Sequence, residues 1–303
     1  MNAVTVRHVT KTFKGKKAVN DISFTIKEGS IVSILGPNGA GKTTTMMMML
    51  GLIQCTEGII QVFGKEPGRK EVRERIGAML QEVSVPDGLT VGEIIDLFRS
   101  YYVKPLPKQE LLKLAGLQDV VKKKADKLSG GLKRRLNFAL AIVGNPDLIF
   151  LDEPTVGMDI AARRLFWDSI RAMAKQGKTI LFSTHYLKEA DDISDRIILF
   201  HRGTIVADGS PEEMKSMLTS QTLSFIPEDS ALLAELSQLN GIMGSRAEGQ
   251  RLFIETRQVE EVLAFIFQNG YKIKGLRIDQ GSLDDAFEQL TADDAEESEQ
   301  EAV

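Results

Sequence analysis

The sequence predicts an α/β core followed by a smaller α+β domain, and three observations carry that reading. Continuous apolar, β-branched runs at 31–36 ("IVSILG"), 147–154 ("DLIFLDEP") and 178–185 ("KTILFSTH") read as buried strands. Helical spacing fills the intervals, as in "AARRLFWDSIRAMAKQ", and strand–helix alternation implies an α/β sheet. After about residue 220 the pattern changes to an order of roughly β-α-β-β-α-β.

Taken in order, "VTVRHVTKTF" and "DISFTIKEG" alternate apolar and polar positions and predict antiparallel strands at the start. The run at 31–36 leads into a glycine-rich turn and a helix. From about 84 to 142 the chain reads as a helical insert, with "TVGEIIDLFRSYY", "KQELLKLAG" and "GLKRRLNFALAIVG". Residues 221–291 then predict a ferredoxin-like α+β domain: strands in "TLSFI", "RLFIET" and "YKIKGLRI", helices in "DSALLAELSQL" and "QVEEVLAFIFQNG". In the second of these helices Val259, Val262, Leu263 and Ile266 share a face and Gly270 marks the end. Ser282 is expected to cap a last helix, "LDDAFEQL". The domains expected are thus 1–220, 221–291 and an acidic tail, 292–303, expected to be disordered.

Charge is unevenly placed. The net charge is −4, yet the last thirteen residues hold six acids and no base, so the rest carries +2. Basic clusters are short, which argues against a nucleic-acid partner. The single cysteine, Cys55, excludes an internal disulfide and a four-cysteine zinc site. No apolar stretch approaches the roughly 20 residues that span a bilayer, and the first residues lack the apolar core of a signal peptide. The expected location is cytoplasmic, with any membrane role reached through a partner.

Three motifs carry chemistry. "GPNGAGKTT" (36–44) fits the phosphate-loop pattern after a buried strand. Gly36, Gly39 and Gly41 let backbone N–H groups turn toward phosphates, with Pro37, Asn38, Ala40 and Thr44 completing the loop. Lys42 supplies a cation for the β- and γ-phosphates, and Thr43 a hydroxyl for Mg²⁺. "LIFLDEP" ends a buried strand in two acids: Asp152 for the metal and Glu153 toward an attacking water. "LSGGLKRRL" (128–136) opens a helix with Ser129, Gly130 and Gly131, a second anion cradle in a chain that already has one. "MMMM" (46–49) reads as core filler within a helix.

The order phosphate loop, "LSGG", "LIFLDEP" and then His185 after "LFST" resembles the nucleotide-binding domain of ABC ATPases, over about residues 3–220. The resemblance implies an ATPase with a phosphate-loop ABC core, an antiparallel β subdomain and a helical insert, using ATP and Mg²⁺. It implies that Phe13 stacks on adenine, Gln81 senses Mg²⁺ and water, Asp159 lies at a dimer seam and His185 faces the γ-phosphate. It also implies a head-to-tail dimer in which the "LSGG" of one copy closes over the ATP of the other. A second cradle, redundant within one site, is useful across such an interface.

The C-terminal segment, ending "GSLDDAFEQLT", resembles the accessory domain of ATP-binding subunits of ABC-2 type exporters. That resemblance implies a homodimer powering a separate integral membrane permease, held peripherally on the inner face of the membrane. Antibiotic or drug export is the first cargo expectation, with sodium or lipid-linked glycan as alternatives. DNA-repair relatives carry long coiled-coil or zinc insertions, and translation relatives usually carry two cassettes. This chain has one cysteine and each motif once. Leu132 stands where the common family motif has Gln, and an active enzyme is expected all the same.

Overall fold

The computed structural model describes residues 1–81, 88–218, 221–229, 231–236, 239, 241–256 and 258–279. The chain divides into two compact units, Met1–Asp208 and Gly209–Val303.

In the first unit β1 (Asn2–Phe13) and β2 (Lys16–Lys27) form an antiparallel hairpin. Its two-residue turn, Lys14–Gly15, has positive φ at both positions, as the right-handed twist of a tight hairpin requires. β3 (Ile31–Leu35) is buried at every position and feeds the phosphate loop and α1 (Lys42–Met49). Met46, Met48 and Met49 are buried in the core, as the filler reading expected. β4 (Glu57–Val62) pairs with β1, completing a sheet in the order β2-β1-β4. Cys55, half-buried, packs against the same core.

α2 (Lys70–Arg73) and β5 (Ile76–Met79) precede the helical insert of α3 (Val91–Arg99), α4 (Lys108–Ala115) and α5 (Gly130–Ile142). A reciprocal capping box between Thr90 and Glu93 starts α3, and Gly116 in the left-handed region ends α4. The chain then alternates through β6 (Leu148–Asp152), α6 (Ile160–Lys175), β7 (Thr179–Thr184), α7 (Leu187–Ile193), β8 (Arg196–His201) and β9 (Thr204–Gly209). These strands build a six-stranded sheet in the order β5-β6-β7-β3-β8-β9.

The pairs β5–β6, β6–β7, β7–β3 and β3–β8 are parallel, so the C-terminal ends of these strands meet along one edge. Alternate residues serve opposite faces. Ile149, Leu151, Ile180 and Phe182 join a core with the helical insert and α6, while Leu148, Phe150 and Leu181 join one with α1 and the antiparallel sheet. Burial on both faces is why these strands read as unbroken apolar runs. Among the described residues no helix is long and apolar enough to cross a membrane.

The second unit, from Gly209, includes α8 (Pro211–Leu218), whereas the sequence pattern predicts a first domain that runs to 220. A reciprocal cap between Ser210 and Glu213 starts this helix directly after β9. β10 (Gln221–Pro227), α9 (Ala231–Leu236), β11 (Ile242–Glu248), β12 (Arg251–Thr256), α10 (Val259–Gln268) and β13 (Ile273–Asp279) follow, matching the expected β-α-β-β-α-β order. The sheet is antiparallel in the order β11-β12-β10-β13. Leu223, Phe225 and Ile254 pack against Val259, Val262 and Ile266 of α10. The helix expected after Ser282 and the acidic tail lie outside the described residues.

Candidate functional site

Strand tips along the parallel edge build the site. β3 delivers the phosphate loop, β5 Gln81, β6 Asp152 and Glu153, and β7 Thr184 and His185. A cavity of about 520 Å³ gathers Asn38, Gly39, Gly41, Lys42, Thr43 and Thr44 of the loop with Gln81, Glu153, Ala18, Arg134 and Val156. Gly36, Pro37 and Ala40 shape the loop without lining the cavity; Ala40 is buried and its carbonyl accepts from the Gly203 amide.

The loop needs its glycines. Gly41, the residue before α1, has φ 100°, and a Cβ there would sit 2.7 Å from the Ala18 carbonyl. A Cβ on Gly36 would collide with the Phe200 carbonyl. The α1 N-terminus therefore opens with free amides and a favourable dipole toward the cavity. Lys42 is 5% exposed, and its Nζ donates to the carbonyls of Gly36 and Pro37 at 2.7 and 2.9 Å. Burial pushes its pKa below the ordinary 10.5, opposed by the nearby charges of Glu153 and Asp152.

Thr43 Oγ1 donates to Asp152 Oδ2 at 3.0 Å, and Gln81 borders the same cavity. A hydroxyl, a carboxylate and an amide at one place form a hard oxygen donor set that fits Mg²⁺. Ser183, fully buried on β7, organises both acids: its hydroxyl donates to Asp152 and accepts from the Glu153 amide at 3.0 Å. Glu153 itself has φ 46°, a left-handed backbone that turns its side chain away from the line of β6. Its Oε1 lies 3.9 Å from Lys42 Nζ and its Oε2 lies 3.2 Å from His185 Nδ1. The carboxylate thus bridges the loop cation and the imidazole.

A second cluster lies behind these tips. The buried Glu189 of α7 accepts from Thr155 at 2.6 Å and Thr184 at 3.2 Å, and pairs with Arg163 of α6 at 3.3 Å. Thr155 is two residues past Glu153 and Thr184 directly precedes His185, so one carboxylate holds both acidic and imidazole loops. Ser183, Glu189 and Arg134 were not singled out from the sequence. A serine inside the apolar run "ILFSTH" was the available signal for the first, and the others looked like ordinary helical surface charge.

The other expected residues lie elsewhere. Phe13 is 46% exposed, so it is not a core phenylalanine, and Lys11 sits 4.8 Å from its ring centre. Ser129 and Gly130 are exposed and Gly131 half-exposed; none lines the cavity. The Ser129 hydroxyl caps α5, accepting from the Leu132 amide at 3.4 Å. Leu132 is half-buried against the apolar core. Asp159 is exposed and caps α6 through the Ala162 amide at 2.7 Å, beside Ile160, which is 87% exposed.

Residues 19–156 match a family model described as ABC transporter. The chain is 40% identical over 220 residues to Nod factor export ATP-binding protein I of Burkholderia lata, covering 69% of this chain and 71% of that protein. It is 34% identical over 310 residues to daunorubicin/doxorubicin resistance ATP-binding protein DrrA of Streptomyces peucetius, covering 97% and 94%. Among solved structures it is similar to the dimeric structure of MJ0796, a bacterial ABC transporter cassette. That likeness has a TM-score of 0.63 at 27% identity and covers 69% of this chain and 98% of that one.

Proposed function

The chain belongs to the ABC transporter family as an ATP-hydrolysing, ATP-binding subunit of the ABC-2 exporter type, and on that premise we propose that it works as a head-to-tail homodimer driving a separate membrane permease from the inner face of the membrane. One observation carries this reading most: the phosphate loop and Glu153 share a cavity and Asp152 accepts from Thr43 of that loop, while Ser129 and Gly130 stand exposed outside the cavity. A second anion-binding helix start that does not face its own cavity has a use when a second copy supplies the phosphate.

In this reading loop amides and Lys42 hold the β- and γ-phosphates. Thr43, Asp152 and Gln81 would hold Mg²⁺, which supplies charge neutralisation at the phosphoryl oxygens when bound. Phe13 offers its exposed face to the adenine. Glu153 is the general base: its carboxylate accepts the proton of the attacking water, and Lys42 and His185 fix that carboxylate from two sides. His185 then lies within reach of the γ-phosphate. Asp159 and Ile160, exposed beside each other, suit the seam between the two copies.

The full-length resemblance to a daunorubicin/doxorubicin resistance protein supports export of a drug or antibiotic. A second cargo reading, a compound of the Nod factor kind, rests on comparable resemblance to Nod factor export proteins. Glu153→Gln tests the core of the proposal. It is expected to bind ATP, dimerise on sedimentation and lose at least about 10²-fold in turnover, the usual contribution of a positioned base. Near-normal hydrolysis, or a monomer at saturating ATP, would refute it. Co-purification with ribosomes or DNA in place of an integral membrane protein would sink the transport reading.

A further inference from the structure

Arg134 lies two residues beyond Leu132, in the first turns of α5, yet it borders the cavity. Among the described residues its guanidinium makes three bonds, all to main-chain carbonyls: Nη1 to Gln81 at 2.7 Å, Nη2 to Glu153 at 3.1 Å and Nε to Val156 at 3.4 Å. These carbonyls come from two loops, one after β5 and one after β6. The residue is half-buried, and desolvation pushes its pKa below the ordinary guanidinium range, opposed by the charges of Asp152 and Glu153. A guanidinium stays charged through such a shift.

The helix that carries Arg134 begins with Ser129, Gly130 and Gly131, which do not face this cavity. Arg134 therefore connects a surface outside the cavity to two loops inside it. We propose that Arg134 is a positioning residue that ties the "LSGG" helix to the Gln81 and Glu153 loops of its own chain. Placement of that helix on the second copy's ATP and aim of Glu153 at its own water are then set together. The inference rests on the reading of Glu153 as base and of "LSGG" as acting across a dimer.

Chemistry argues for arginine here. A planar fork with five fixed donors can serve carbonyls on separate loops at once, whereas lysine is a point charge on a flexible stem. The competing role is direct contact with a phosphate, since Arg134 lines the cavity; kinetics separate the two.

The experiment measures kcat and KM for ATP in the full-length wild type and in Arg134→Ala, Arg134→Lys and Glu153→Gln, with melting temperatures alongside. Arg134→Ala is expected to lose at least tenfold in kcat with KM within threefold. Arg134→Lys is expected to stay at least threefold below wild type, because retained charge does not replace the fork. Should Arg134→Ala fail to fold, Arg134→Lys carries the test. A tenfold rise in KM at unchanged kcat would assign Arg134 to the phosphates and overturn the proposal. So would full activity in Arg134→Lys, which would reduce its role to charge and packing. If Glu153→Gln is inactive and both Arg134 variants are normal, this inference alone fails; if Glu153→Gln hydrolyses normally, the reading beneath it fails.

Discussion

Lys42 shows how one side chain can make binding and stability move in opposite directions. Burial holds its pKa below 10.5 in the folded chain, while the unfolded chain keeps the ordinary value. Between those values the unfolded state binds more protons, so this group's contribution to stability rises with pH. With Lys42 on the phosphates as proposed, ATP affinity depends on that cation and is expected to fall over the same window. A titration of ATP binding by Glu153→Gln through the alkaline range should find that fall, whereas an affinity flat up to 10.5 would contradict it. Lys42→Met should keep the unliganded fold, since it removes a desolvated charge along with two hydrogen bonds, but lose the thermal shift produced by ATP. Glu189 is the contrasting case. Its carboxylate is buried and serves Thr155, Thr184 and Arg163. Glu189→Ala leaves those donors without an acceptor and is expected to cost about 1–3 kcal/mol in denaturant unfolding. Its kcat should fall as well, because Thr155 and Thr184 lie next to Glu153 and His185, the proposed base and its imidazole partner.

At the scale of elements, α5 decides what Leu132 means. The Leu132 amide is what Ser129 caps, and its side chain packs on the core instead of pointing into the cavity. Leu132→Gln is therefore expected to destabilise by about 1 kcal/mol, part of what full burial of a leucine contributes. Its ATPase rate should stay within tenfold of wild type; a hundredfold gain would show that the natural helix start is a degenerate one. Such local features were legible in the sequence because they are local. The phosphate loop is set by glycines within a few residues of one another, and β3, β6 and β7 announce themselves by burial on both faces. β4, β5 and β9 are not predicted, since their runs are short or half-exposed and depend on partners distant in the chain, whereas β8 carries a buried apolar run, Ile197–Phe200, as legible as that of β7. Arg134 and Glu189 were illegible for the same reason: their farthest partners lie 53 and 34 residues away, and a charged residue on a helix reads as surface until the fold brings its partners. The start of the second unit at Gly209 was legible in principle, from the serine–glutamate cap of α8, but the end of an apolar pattern is a weaker guide than a new helix start.

For the whole molecule, the division into Met1–Asp208 and Gly209–Val303 has a thermodynamic consequence. The first unit holds two cores on either side of the six-stranded sheet, and the second has its own, built from Leu223, Phe225, Ile254 and the buried face of α10. Every residue lining the cavity at the phosphate loop belongs to the first unit. A ligand that binds only the folded form of that unit stabilises it by RT ln(1 + [L]/Kd), about 2.7 kcal/mol at a hundredfold excess over Kd. For a unit of this size that corresponds to a shift of at least about 5 °C. Calorimetry of Glu153→Gln, which is expected to retain ATP, should therefore resolve two transitions, of which ATP moves one and leaves the other within a degree. Dimerisation would enlarge the shift of the first transition and make it depend on protein concentration. A single transition that moves as a whole with ATP would mean that the units unfold as one cooperative block, with nucleotide energy reaching the α+β unit directly. Two transitions with only one responsive would place the coupling to transport within the ATPase unit and its partners, leaving the C-terminal unit a thermodynamically separate module.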